Sequence, residues 1–185
     1  MSEAKPSRLA DRLGTPTHCS VLRYRLSTLS LRYPSKGAGC LEDWLLDVAN
    51  ARGAGFVLRY PPAAPDFRPP GLAELTNEDM VVAILQPHNL DRPQMIRAAA
   101  QLISQAAVEP SRLLGSARRE RADRVLADLA RSAVRVEPAH RIWSVLAHAL
   151  ANQRPLRAPI LHWTRLAVPV PDARGCNAQA WRLVA

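Results

Sequence analysis

Apolar and polar residues alternate over one stretch near the start of the chain. From position 22 to position 33, leucine or tyrosine occupies every second position, and the phase changes halfway. Successive side chains of a strand point to opposite faces, so the pattern predicts two short strands with a bend between them. A helix also fits, because Leu22, Leu26, Leu29 and Tyr33 are three or four positions apart. The tyrosines, the threonine and the proline that follows favour strands.

The tripeptide Leu-Arg-Tyr occurs at positions 22–24, 31–33 and 58–60, and these copies contain all 3 tyrosines of the chain. In a strand, the arginine and the tyrosine of each copy face apart. One copy therefore cannot present a ring and a cation on the same surface, as proteins that bind single-stranded nucleic acid do. We interpret the copies as half-buried strands. With an amphipathic helix at 40–52, stopped by Gly53, residues 20–60 are predicted to form a β-α-β unit.

A proline-rich segment separates this unit from a helical region. Prolines recur through residues 61–71, which predicts an extended connector. Apolar residues then recur at helical spacing through residues 72–153, which predicts a bundle of four or five helices. Capping residues or first-turn prolines mark the helix starts at Thr76, Asp91, Pro110 and Pro138.

The ends of the chain complete the predicted fold. Two strand-like runs flank a turn-rich segment within residues 158–185, which predicts a β-hairpin packed with the N-terminal sheet. Residues 1–19 are expected to be flexible. The predicted fold class is therefore α+β, with a small β-α-β unit, a helical bundle of four to five helices and a C-terminal β-hairpin.

The net charge of the chain indicates which classes of partner are possible. The chain of 185 residues contains 25 Lys and Arg against 16 Asp and Glu, a formal net charge of +9. Nearly all the cations are arginine, and alanine, proline and leucine are abundant, as a GC-rich coding sequence would also produce. The charge permits an acidic protein or nucleic acid as partner without requiring either.

Cysteine usage and hydropathy indicate the compartment. The 3 cysteines are odd in number and follow no pattern, which argues against a disulfide scaffold and fits a reducing compartment. The longest runs without charge are shorter than a membrane span, and the first residues lack the apolar stretch of a secretory signal. We expect a cytoplasmic protein with no membrane partner.

Catalytic motifs are absent from the sequence. The 5 histidines lie in no metal-ligand motif, and neither a P-loop nor a nucleophile elbow is present. No catalytic residue, metal ligand or cofactor is predicted, although an enzyme of unknown class stays an open alternative.

The most basic stretch lies on and just before a predicted helix at about 120–134. Its arginines recur on one stripe about 21 Å long, enough to follow several phosphates. Asp128 lies within the stripe, where it can pair with its neighbours. We predict a non-catalytic basic interaction module or subunit that binds an acidic protein surface or a nucleic-acid backbone. The candidate binding residues are Arg118, Arg119, Arg121, Arg124, Arg131 and Arg135.

A second helix offers an alternative function, that of a DNA-binding regulator. Arginine and glutamine opposite its apolar stripe are the residue types that contact base edges in the major groove, so residues 76–106 resemble a divergent helix-turn-helix. The break between its two helices is longer than the usual turn, so a solvated face is the simpler interpretation. The candidate recognition residues are Arg92, Gln94, Arg97 and Gln101.

Overall fold

The computed structural model describes residues 20–54, 63–90, 92–105 and 108–156. Within these ranges the chain forms seven α-helices and one short 3-10 helix, Pro87–Asn89, and contains no strand. The helices are α1 (Val21–Arg32), α2 (Leu41–Ala51), α3 (Asn77–Ile84), α4 (Pro93–Gln105), α5 (Pro110–Arg119), α6 (Asp123–Val136) and α7 (Arg141–Ala149).

The predicted α+β class is wrong for the described residues, because the two strands predicted before residue 34 form the single helix α1. The Ser20 hydroxyl caps α1 by accepting a hydrogen bond from the Arg23 amide at 2.9 Å. Leu22, Leu26 and Leu29 are buried, so the spacing of three and four residues, rather than the alternation, describes the packed face. The predicted β-α-β unit is therefore replaced by two helices in the part that the structure describes.

Several predicted segments lie outside the described residues. These are the flexible segment at 1–19, the third Leu-Arg-Tyr copy at 58–60 and the C-terminal β-hairpin at 158–185.

Helices form on both sides of the proline-rich segment, although the last one begins at Arg141 and not at the predicted Pro138. Helix α2 lies within the predicted 40–52, and α3 begins after Thr76, whose hydroxyl accepts from the Asp79 amide at 3.1 Å. Residues 77–149 contain the five helices α3 to α7. Residues 63–71 contain no regular element, as their prolines predict.

Helix α4 lies at the centre of the apolar core. It contacts α2, α3 and α6, and its Met95, Ile96 and Ile103 have no exposed surface. Helix α1 packs on α2 and α3 at the edge of the bundle, while α5 contacts α3, α6 and α7. This arrangement leaves one side of α1 and the turn between α5 and α6 exposed.

Ion pairs fasten α1 to its neighbours. Each of its three arginines reaches a carboxylate on another element: Arg23 to Glu42 at 3.0 Å, Arg25 to Asp79 at 2.9 Å and Arg32 to Glu74 at 2.9 Å. The charges of α1 are thus matched within the fold.

We expect the protein to lose stability in mild acid. Contact with His88 and the charge of Arg23 hold the pKa of Glu42 well below its ordinary value, against the raising effect of burial. A hydrogen bond from Tyr33 and the charge of Arg32 lower the pKa of Glu74 in the same direction. A carboxyl whose pKa is lower in the folded state stabilises the fold fully above its unfolded pKa, and this stabilisation is lost as the pH falls through the folded pKa.

Urea unfolding between about pH 7 and about pH 3 measures this loss. Replacing Glu42 with glutamine should lower stability at neutral pH and flatten the decline in acid. A decline of unchanged steepness in that variant would show that Glu42 does not contribute to it.

Candidate functional site

The six candidate arginines do not form one continuous stripe. Arg118 and Arg119 end α5, and Arg121 lies in the turn before α6; all three are exposed. The other three, Arg124, Arg131 and Arg135, lie on α6. The structure therefore divides the predicted set into a turn and a helix face.

The helix face is largely occupied by the chain that follows α7. Arg124 donates from Nε to the Arg154 carbonyl oxygen at 3.0 Å and from Nη2 to that of Pro155. Arg131 donates to the Gln153 carbonyl at 3.3 Å and pairs with Asp128 at 3.1 Å, as the helical spacing predicted. Two of the six guanidinium groups thus hold residues 153–155 against α6, which sequence spacing alone could not show.

The acidic residues around the turn are engaged by uncharged partners. Glu120 accepts from the Ser20 hydroxyl at 2.5 Å, and Asp123 accepts from the Gln153 amide at 2.9 Å. In the described part of the chain, Arg118 and Arg121 form no ion pair, and Arg119 donates to the Ser116 hydroxyl at 2.8 Å. We call Arg118, Arg119 and Arg121 the basic corner. Its three cations exceed the two carboxylates of Glu120 and Asp123, which form no ion pair with them, so a net positive charge remains.

The backbone of the basic corner is a Schellman turn with an arginine in the left-handed position. Arg121 has φ of 58°, its amide donates to the Arg118 carbonyl at 3.3 Å, and the Ala122 amide donates to the Ala117 carbonyl at 2.8 Å. Glycine is the residue usually found at this position, because a Cβ atom there costs about 1 kcal/mol. The turn therefore carries a side chain at a position where a side chain is unfavourable.

Helix α2 supplies an internal comparison. It ends in the same pair of hydrogen bonds, from Gly53 to Asn50 at 3.1 Å and from Ala54 to Ala49 at 2.9 Å, and Gly53 has φ of 104°. No glycine or proline marks the corresponding turn after α5, which is why the sequence predicts a helix already from about 120. The sequence identifies Arg121 as a candidate residue but places it on a helix, so the left-handed turn is the feature that was missed.

A cleft of about 410 Å³ separates the basic corner from α1. Val21, Leu22 and Arg25 of α1 line one side, and Arg119 and Glu120 line another. The side chain of Arg25 is already paired with Asp79, so Arg119 is the lining cation that faces no carboxylate partner in the described residues. The cleft thus connects the basic corner to the exposed side of α1.

The alternative recognition helix lacks a continuous exposed face. Arg92 and Gln94 are exposed, but Arg97 is only partly exposed and Gln101 retains 2% of its surface. The reason is the central position of α4, which is packed on several sides. In this fold Gln101 is not accessible to a base edge.

A serine, a glutamate and a histidine meet between α4 and α7 in an arrangement that stabilises packing. Glu137 accepts from the Ser104 hydroxyl at 3.2 Å and from Trp143 Nε1 at 3.0 Å. His140 Nε2 lies 3.3 Å from the Ser104 carbonyl oxygen rather than from its hydroxyl. Trp143 Nε1 donates to the Ser104 hydroxyl as well, at 3.1 Å, so the group connects α4 to α7.

Among the residues that the structure describes, no three histidine, cysteine or acidic side chains are arranged to hold a metal ion. Across the same ranges, every helix is too short or too polar to cross a bilayer. Comparison of the chain with protein-family models, with curated proteins and with solved structures finds no significant match.

Proposed function

We propose that this protein is a non-catalytic module that binds nucleic acid through backbone phosphates at the basic corner. The observation that carries the proposal is an exposed arginine at a left-handed position, which forms no ion pair within the described residues and follows two further exposed arginines. Strained backbone positions persist where the rest of the fold imposes them, and they concentrate at functional sites. Guanidinium groups bind phosphate oxygens through two parallel hydrogen bonds, which suits them to this partner.

The charge distribution supports the same partner. Residues 108–156 contain 9 arginines and 5 acidic residues, whereas residues 20–107 contain 9 basic and 8 acidic residues. Residues 108–156, which contain the basic corner, thus have a net charge of +4, against +1 for residues 20–107. A field of one sign over one region attracts a polyanion from a distance.

Nucleic acid fits the basic corner better than an acidic protein does. The corner consists of three arginines and contains no large apolar side chain. Protein interfaces usually have an apolar centre with few charges, whereas nucleic-acid interfaces are more polar and strongly positive.

Salt dependence of binding tests the proposal. The purified full chain should retain labelled DNA and RNA oligonucleotides on a filter at about 50 mM salt. The logarithm of the binding constant should fall linearly with the logarithm of the salt concentration. Three phosphate contacts predict a slope of about −2 to −3. Failure to retain either nucleic acid at low salt, or retention that salt does not weaken, contradicts the proposal.

Replacing Arg121 with glycine should stabilise the fold and weaken binding. Glycine removes the left-handed strain, worth about 0.5 to 1 kcal/mol, while one phosphate contact is lost and the salt slope falls by about one. Thermal unfolding and filter retention measure the two effects on the same sample. Arg118→Ala is the matched control, because it removes one cation from the same turn without relieving strain. A more stable Arg121→Gly protein with unchanged affinity would exclude Arg121 from the interface.

A further inference from the structure

We infer that the nucleic acid bound at the basic corner is single-stranded, and that Tyr24 stacks on one of its bases. This inference rests on the proposed function and adds the form of the partner. Tyr24 lies on α1 with 78% of its surface exposed, and within the described residues its hydroxyl forms no hydrogen bond. An aromatic ring of this exposure is available for contact with a ligand.

Tyr24 lies on the same helix as residues that line the cleft beside the basic corner. Val21 lines the same cleft as Arg119. Tyr24 lies three positions after Val21, and side chains three apart on a helix are neighbours, with Cβ atoms about 5 to 6 Å apart. Tyr24 is not itself a lining residue, but it lies within one helical turn of Val21, on the α1 side of the cleft and across it from Arg119. A strand whose phosphates contact the basic corner can cross the cleft and reach this ring.

Stacking on the Tyr24 ring requires a base that is not stacked on its neighbours. In a duplex both faces of a base are covered by its stacked neighbours, so an aromatic side chain can cover only a base that is unstacked. The cleft of about 410 Å³ lies within the size range of small-ligand sites, so it has room for a nucleotide between Arg119 and the start of α1, next to the helical turn that carries Tyr24. Cations that follow the backbone beside an exposed aromatic ring are the usual arrangement for binding single strands.

The two described Leu-Arg-Tyr copies differ in this respect. Tyr33 is partly buried and its hydroxyl donates to Glu74 at 2.6 Å, so it belongs to the ion-pair network of α1. Tyr24 has no such role. The prediction against stacking rests on a strand, in which the arginine and the tyrosine of one tripeptide face apart. In the structure Tyr24 lies on a helix. The cations available to a ligand beside it are those of the basic corner, because Arg23 and Arg25 are paired within the fold.

The experiment compares Tyr24→Ala with the natural full chain on labelled single-stranded DNA, single-stranded RNA and duplex DNA of equal length. We expect affinity for both single strands to fall about tenfold or more, since one stacked base contributes at that level. Affinity for the duplex should not change. The salt slope should also stay the same, because stacking releases no counterions.

Two further variants separate stacking from general apolar contact. Tyr24→Trp should retain affinity for single strands, since it keeps an aromatic face. Leu31→Ala removes an apolar side chain of 83% exposure from the same helix, about two turns further from the cleft, and should have no effect. Equal weakening by Leu31→Ala overturns the assignment of the ring.

The outcomes distinguish this inference from the proposed function. If the natural chain binds the duplex as tightly as single strands, or if Tyr24→Ala weakens neither, the inference is overturned and phosphate binding at the basic corner stands. If the natural chain binds no nucleic acid, both fail.

Discussion

Trp143→Ala should lower the free energy of unfolding by about 3 to 5 kcal/mol, the largest loss that we expect from a single substitution. Trp143 has 1% of its surface exposed and belongs to the apolar core. Its Nε1 donates to Ser104 Oγ at 3.1 Å and to Glu137 Oε2 at 3.0 Å, so it connects α7 to α4 and to the end of α6. Alanine leaves a cavity and two partly buried acceptors that lose this donor.

Denaturant unfolding with two controls checks this expectation. Trp143→Phe keeps most of the apolar volume and loses only the donor, so its loss should be nearer about 1 to 2 kcal/mol. Val145→Ala changes a side chain of the same helix that is 40% exposed, and it should stay within about 0.5 kcal/mol of the natural chain. If Trp143→Ala is no less stable than Trp143→Phe, the ring does not fill the core as described.

The helices after the connector could be predicted because local signals mark both their caps and their apolar faces. Thr76 caps α3, Pro110 begins α5, and the spacing of apolar residues identifies the buried side of each helix. These signals depend on residues within one or two turns of each other, so the sequence contains them in full.

Helix α1 was predicted wrongly because its pattern satisfies two periods at once. Leucine at every second position suits a strand, and Leu22, Leu26 and Leu29 also suit a helix. What decides between them is the surface on which they pack, formed by α2 and α3, and that surface is distant in sequence. The same ambiguity hid the exposure of Tyr24.

The candidate site was predicted in its residue types but not in its geometry. The carbonyl oxygens that engage Arg124 and Arg131 come from residues 153–155, more than twenty positions away. The turn at Arg121 contains no glycine, so the sequence predicts helix there. Both facts follow from tertiary packing, which confines the exposed charge to fewer arginines than the sequence suggests.

Reversing all three charges of the basic corner should reduce affinity for nucleic acid at least about 100-fold at about 100 mM salt. The variant replaces Arg118, Arg119 and Arg121 with glutamate. It removes every phosphate contact proposed for the corner and adds repulsion, so the remaining binding should show a salt slope close to zero. Electrophoretic mobility shift and filter retention on single strands across a salt series measure both quantities.

A second triple variant separates the basic corner from the overall charge. Replacing Arg112, Arg135 and Arg141 with glutamate changes the net charge by the same amount, but these arginines are exposed on three different helices. Long-range attraction should decrease equally in the two variants, whereas direct phosphate contacts should be lost only at the corner. A similar loss of affinity in both would mean that the protein binds through its general charge, and that the left-handed arginine between α5 and α6 has no particular part in it.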